Sequence, residues 1–394
     1  MIIGVTMGDT TGVGPEIIAG ALQEAVVLNE CQPVVIGRVA LLRRALELVG
    51  SDQEVLPIER LDRSFIASLP STQLSRVVYC YEAGPEEADH LPPGNISAFG
   101  GAAAHDALVV GAKAALAGDL DAIVTAPLHK GALHMAGHDW PGHTELLASL
   151  CKVDQFAMML YLPPSWKNEG SPQDRNRECD TELEVTGVRT RGGAAGLGVV
   201  HVTLHMALRE VFEHLSQKAI YETIELAQNT FTMLRTSLGL PPCPALAVAA
   251  LNPHCGEGGL FGDEETRLIA PAVSQARGLG WNVSGPLSVD TLMPAAAAGR
   301  YDAVIAMYHD QGHIALKLLD MFDAVNITLG IPIIRTSVAH GTAHDIAWRG
   351  IAKSSGMTQA IMTAVRLAKG AKVSKSDQTV EATQNVSHID SCGA

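Results

Sequence analysis

Three apolar runs in this chain each lead into a histidine: LGVVHVTLH to His205, ALAVAALNPH to His254 and DAVIAMYH to His309. Each run is short, rich in Val, Ile, Leu or Ala and followed by polar or Gly-containing sequence, so each reads as a buried strand of an α/β sheet. Ligands in open α/β folds bind beyond the carboxyl ends of the strands. Two readings stand. Each histidine is a hydrogen-bonded strand-end residue, or the three deliver imidazoles to a metal with open coordination positions. Their shared topological position favours the metal.

The rest of the chain repeats strand and helix. IIGVTMG leads through a Gly-rich turn to a helix opening near Pro15, a favoured first helical position. PVVIGR, VVYCY and DAIVTAP read as further buried strands, with ALLRRALELVG and AAAHDALVVGAKAALAG as helices between them. The alternation predicts an α/β fold: a mostly parallel sheet with helices on both faces. At 394 residues the chain is long enough for two domains. From Ser165 to about Ala195 the pattern fails, and the charged, apolar-poor sequence reads as a flexible surface insertion. A long amphipathic stretch after His205 reads as one helix or two joined ones, and the tail from Ala371 as disordered.

A net charge of −14 argues against nucleic acid as a partner. Every apolar stretch is broken by Gly, Pro or charge before it reaches membrane-spanning length. The first residues lack a basic segment and enter a strand directly, so no signal peptide is expected. Seven cysteines without a C-x-x-C pair fit reduced thiols of a cytoplasmic protein. Cys255, beside His254, reads as a buried spectator thiol.

Other segments carry candidate chemistry. The turn with Gly8, Gly12, Gly14, Pro15 and Glu16 is neither a Walker A sequence nor a Rossmann fingerprint. In PGHTEL, His143 and Thr144 enter a helix where they can serve a bound anion; Thr144 alone would equally cap the helix. Lys317, Asn326 and Arg335 bring two cations and an amide into apolar segments. Such cations are expensive unless paired or given an anionic ligand, although Lys317 also fits a snorkelling surface lysine. HGTAHDIA, from His340 to Ala347, has small residues that permit close approach of a planar ligand, and Asp345 is placed to accept from ribose hydroxyls or to cap a helix.

The motifs MGD-T-T-GVGPE, PGHTEL, VTLH, LNPHCGEGG, DTL, AMYHDQG and VNITLG-P-IRTSV-HGTA-D together resemble the 4-hydroxythreonine-4-phosphate dehydrogenase family of pyridoxal phosphate biosynthesis, over nearly the whole chain outside 165–195 and the tail. The resemblance implies a two-domain fold like that of isocitrate and isopropylmalate dehydrogenases, with the active site in the interdomain cleft. Residues 1–125 and 285–370 would form the first domain and 126–284 the second, with 371–394 as tail. It implies one divalent metal (zinc, cobalt or magnesium) on His205, His254 and His309. Substrate contacts would fall on His143, Thr144, Lys317, Asn326 and Arg335. It also implies NAD or NADP near His340, Gly341 and Asp345, and a homodimer with the active site at its interface. Lys317 is the candidate for orienting or exchanging a proton. Expected activities are oxidation of 4-phosphohydroxy-L-threonine or, alternatively, of D-threonate or D-erythronate 4-phosphate. Thr10-Thr11 departs from the Pro-Ala that many members carry.

Overall fold

A computed structural model describes residues 1–72, 76–164 and 193–389, with side chains described as far as 373. Most of the expected 165–195 insertion lies outside the described residues. Its last residues, 193–195, belong to a turn in which Ala195 is buried and its carbonyl accepts from the Tyr161 hydroxyl at 2.8 Å.

Twelve strands form one sheet: β1 (Ile2–Thr6), β2 (Gln32–Gly37), β3 (Glu54–Ile58), β4 (Val77–Glu82), β5 (Ala122–Thr125), β6 (Ala157–Leu162), β7 (Leu197–His201), β8 (Leu246–Ala249), β9 (Val283–Leu287), β10 (Ala303–Ala306), β11 (Val325–Leu329) and β12 (Arg335–Val338). Their order is β3-β4-β2-β1-β5-β12-β11-β6-β7-β10-β8-β9. β3, β4, β2, β1, β5 and β12 are mutually parallel, and so are β7, β10, β8 and β9. Between them β11 is antiparallel to β12 and β6, and β6 is antiparallel to β7. The two parallel halves therefore run in opposite directions. The segment 285–370, expected in one domain, contributes β10 to one parallel half of the sheet and β12 to the other.

The strands read as continuous apolar runs because helices cover both faces. On one face a single core runs across the sheet, from Val5 and Val35 through Val124, Met159 and Val200 to Val248 and Ile305. The helices Gln217–Ser237 and Ser355–Ile389 lie on this face, so close that a Cβ at Gly370 would collide with the carbonyl of Met233. The opposite face carries two separate cores. One joins Val34, Ile36 and Ile123 to Leu108, Leu146 and Leu147; the other joins Leu160, Val199 and Val304 to Leu292 and Leu316. Between these two cores the face is polar.

Several local expectations change. The strands stop at His201, Ala249 and Ala306, three to five residues before the candidate histidines. Beyond β7, Thr203 is tied to the chain after β10, its N–H and its hydroxyl both donating to the Met307 carbonyl, the hydroxyl at 2.7 Å. Beyond β8, Pro253 and five left-handed residues from His254 to Gly258 turn the chain sharply. The amphipathic stretch breaks at Leu215-Ser216, where the Ser216 hydroxyl accepts from the Ala219 N–H and caps a new helix. The closing helix continues to Ile389, through the segment from 371 read as disordered. No Gly or Pro interrupts it between Gly370 and Gly393.

Asp121 locks the start of the sheet: its nearly buried carboxylate accepts from the Ile2 N–H at 2.7 Å and from Arg63 and Lys372, each at 2.9 Å. Burial alone would raise its pKa, but these hydrogen bonds and charges outweigh it and hold it at about 2. A carboxyl depressed from its unfolded value stabilises the fold above about pH 4, and that contribution is lost as pH falls towards 2. Asp121→Asn is expected to lower stability by on the order of 2 kcal/mol at pH 7, with the gap to wild type narrowing at pH 3 in denaturant titrations. A gap independent of pH would show that the carboxylate charge contributes nothing.

Candidate active site

The polar gap between the two cores holds a pocket of about 190 Å³. Its floor is set by strand register. In the β11–β12 pair, Asn326 lies opposite Ser337 and Thr328 opposite Arg335, so all four side chains share one face. Thr336, between the two floor residues of β12, points the other way and donates to the Ala360 carbonyl. His143 and Thr144 begin the helix His143–Cys151 at the pocket wall. Its N-cap is Gly142, which has no side chain to accept from the first N–H groups. His205 enters from the loop after β7, and His340 and Gly341 from the loop after β12.

Arg335 is the most constrained of these residues. It is 1 % exposed, yet no carboxylate lies within ion-pair distance of it among the described residues. Its guanidinium donates to the Thr125 hydroxyl from Nε at 3.2 Å and from Nη2 at 2.7 Å, and to the Thr328 hydroxyl from Nη1 at 3.0 Å. Burial lowers its pKa to about 9, with Glu145 acting in the opposite direction. Five N–H donors met by two hydroxyls leave capacity for an anion. The Asn326 Oδ1 atom is also buried without a hydrogen-bond partner. His143 is kept neutral by burial and by the Arg335 charge, against a hydrogen bond with the Ala126 backbone.

The histidines divide into two groups. His205 and His309 face each other with ring centroids 5.7 Å apart, and the His309 Nδ1 lies 2.6 Å from Asp310 Oδ1. Such a carboxylate contact fixes the ring and leaves Nε2 free for a ligand. His254 is exposed on its left-handed turn and makes no ring contact with this group. Among the described residues, no group of three or more His, Cys, Asp or Glu side chains of the single chain is arranged to hold a metal ion. Cys255 faces away, towards the Pro286 carbonyl, and burial raises its pKa.

Two further histidines escaped the sequence reading. His201 ends β7, and His313 lies one helical turn after His309; both are buried. His313 stacks on His309 at 3.8 Å, and its Nδ1 is 3.0 Å from His201 Nε2. Burial, reinforced by neighbouring imidazoles and opposed at His201 by backbone hydrogen bonds, pulls their pKa values to about 4 for His201 and about 3 for His313. The second histidine of H-D-Q-G-H, at helical spacing i, i+4, was the available signal.

Lys317 continues that helical row but is exposed and does not line the pocket. Asp345 is likewise exposed and outside it. Lys130 and Glu145, neither singled out from sequence, do line it.

The geometry assigns Arg335 a planar, multidentate role. Arg335→Lys keeps the charge but cannot span Thr125, Thr328 and a ligand together, so affinity for an anionic ligand is expected to fall roughly 10- to 100-fold. Equilibrium binding would check this; a value within twofold of wild type would show that charge alone suffices.

Comparison with known proteins gives the family. The family model described as pyridoxal phosphate biosynthetic protein PdxA matches residues 29–364. A D-threonate 4-phosphate dehydrogenase of Salmonella typhimurium is 42% identical over 93% of this chain and 98% of its own length. A 4-hydroxythreonine-4-phosphate dehydrogenase of Geobacter metallireducens is also 42% identical, over 93% and 95%. The crystal structure of 4-hydroxythreonine-4-phosphate dehydrogenase from Klebsiella pneumoniae superimposes with a TM-score of 0.73 at 40% identity, covering 93% of this chain and 99% of that one. A terephthalate 1,2-cis-dihydrodiol dehydrogenase from Burkholderia xenovorans, 24% identical with a TM-score of 0.58, shares the fold. The architecture is thus the isocitrate dehydrogenase-like one that the motifs implied. The chain belongs to the PdxA family of pyridoxal phosphate biosynthetic proteins and is a dehydrogenase of that family.

Proposed function

We propose that this dehydrogenase oxidises 4-phosphohydroxy-L-threonine, with NAD or NADP as acceptor, in pyridoxal 5′-phosphate biosynthesis. The observation that carries the reading is the single pocket in which His143, Thr144, Asn326, Arg335 and His205 meet. A bound nicotinamide would supply the hydride acceptor for the substrate's secondary carbinol carbon, with the hydroxyl proton passing to a base. The resulting β-keto acid then breaks its bond to the carboxylate, releasing carbon dioxide and leaving 3-amino-2-oxopropyl phosphate.

Arg335, the open helix start at His143 and Thr144, and the Asn326 carbonyl would hold the substrate's anionic and hydroxyl groups, presenting the carbinol hydrogen in one orientation. Glu145, the one carboxylate lining the pocket, complements an ammonium group and favours the amino-acid phosphate. His340 and Gly341 would admit the nicotinamide cofactor beside the substrate, with Asp345 further along the same segment.

A donor set of imidazoles, with His309 oriented by Asp310, fits a divalent metal: zinc, cobalt or magnesium would be held by His205 and His309 with His254 supplied by a second copy of the chain. Such an ion would acidify the substrate hydroxyl and polarise the new carbonyl. Lys317, outside this chain's pocket, would reach a site in the same way, from across a dimer interface, and help to exchange the proton. Exposed Leu208, Phe212, Leu260, Phe261, Ile314 and Leu318 surround the histidine-bearing loops and helix and supply apolar surface for that homodimer. No helix among the described residues is long and apolar enough to cross a membrane, and a small metabolite as substrate suits a cytoplasmic enzyme.

The second reading is oxidation of D-threonate or D-erythronate 4-phosphate, favoured by the equal identity to the Salmonella relative. Initial rates with metal-stripped protein, restored with zinc, cobalt or magnesium and given each substrate with NAD or NADP, decide between them. Metal-dependent turnover at least tenfold faster on the amino-acid phosphate is expected. The reverse preference moves the enzyme to sugar-acid catabolism, and turnover of neither removes the dehydrogenation proposed for these substrates.

A further inference from the structure

Lys130 occupies a position for which the fold makes specific provision. It opens the short helix Lys130–Met135, which follows β5 directly. The preceding residue caps that helix, with the His129 Nδ1 accepting from the Ala132 N–H at 3.2 Å. The helix Ala98–Ala117 packs against it so tightly that a Cβ at Gly101 would collide with the Ala132 carbonyl. The backbone beneath Lys130 is therefore fixed while its side chain remains exposed.

The side chain leans across the start of the helix His143–Cys151: a Cβ at Gly142 would lie 3.9 Å from Lys130 Cε. Lys130 thus lines the pocket beside Arg335, and no carboxylate lies within ion-pair distance of its ammonium among the described residues. Lys130 and Arg335 share the pocket lining with a single carboxylate, Glu145, among the described residues, so two cations against one anion leave net positive charge for an anionic ligand. Lys317 does not supply this charge within the chain, because it does not line the pocket.

We propose that Lys130 is a substrate-binding residue of this dehydrogenase, gripping an oxyanion end of the substrate, phosphoryl or carboxylate, in the pocket that Arg335 also lines. The inference rests on the proposed phosphorylated hydroxy-acid substrate. Being exposed, the ammonium is free to swing in with the ligand, whereas Arg335 is held by Thr125 and Thr328. The pair divides recognition between a fixed planar fork in the floor and a mobile point charge at the mouth.

Steady-state kinetics of Lys130→Met and Lys130→Arg, with inorganic phosphate and malonate as competing anions, test the assignment. Lys130→Met is expected to raise KM for the phosphorylated substrate roughly 10- to 100-fold with kcat within a few-fold of wild type, and Lys130→Arg to recover most of the loss. Loss of inhibition by phosphate assigns Lys130 to the phosphoryl end; loss of inhibition by malonate assigns it to the carboxylate end. Unchanged KM with both inhibitions intact overturns the proposal, as does a fall in kcat at constant KM. If wild type turns over neither substrate, the proposed reaction fails, and Lys130 is judged by thermal unfolding of both proteins with the same two anions. A midpoint rise in wild type that Lys130→Met abolishes supports the assignment; a rise that persists, or none in wild type, overturns it.

Discussion

The interruption of apolar packing on one face of the sheet is the constraint on which the rest of the structure depends. One face is covered by a single core, but the other carries two cores that stop short of each other. A gap between them would ordinarily close, because apolar surface is driven out of water and interiors pack densely. Here it is kept open by polar side chains of β11 and β12, above all by Arg335. A guanidinium cannot be covered by leucine without a large loss of solvation. Its bonds to Thr125 on β5 and Thr328 on β11 let the floor be charged and ordered at once.

Strand direction makes the same place a meeting point. The loop carrying His143 follows β5, while the loop carrying His205 follows β7, which runs the opposite way. In a doubly wound sheet of one direction these loops would lie at one edge. Here the reversals at β11 and β6 bring them together over the sheet's centre. The pocket therefore opens on a face of the sheet, with a cationic floor, an open helix start on one wall and an imidazole on another. Buried, neutral His201 and His313 stand behind His309 and restrict where its ring can go.

Much of this was legible in particular residues. Arg335 stood out because a cation after Pro332-Ile333-Ile334 has no inexpensive place in a sheet, and it lies in the pocket with Asn326, His143 and Thr144. The histidines at 205 and 309, read as sharing a topological position with His254, are neighbours because β7 and β10 pair, although their strands end earlier than the apolar runs did. Apolarity reports burial and not pairing, and Val202 and Met307 are apolar without being strand. Lys130 and Glu145 gave no signal, since charged residues near helix starts are ordinary in sequence. His201 was hidden inside an apolar run whose last histidine drew attention instead.

The sequence by itself determined the alternating elements, the presence of buried strands, and the motifs that identify the family, because these are local patterns of side-chain type and spacing. It also marked Arg335 as a charge in search of a ligand. Only the tertiary structure decided that β6 and β11 reverse the sheet and that 285–370 feeds both of its halves. It alone showed that Lys317 lies outside the chain's own pocket while Lys130 lines it, and that His254 stands apart from His205 and His309. Strand pairing and side-chain convergence depend on contacts between residues more than a hundred positions apart, such as Arg335 with Thr125. No local periodicity encodes which distant strand will lie alongside.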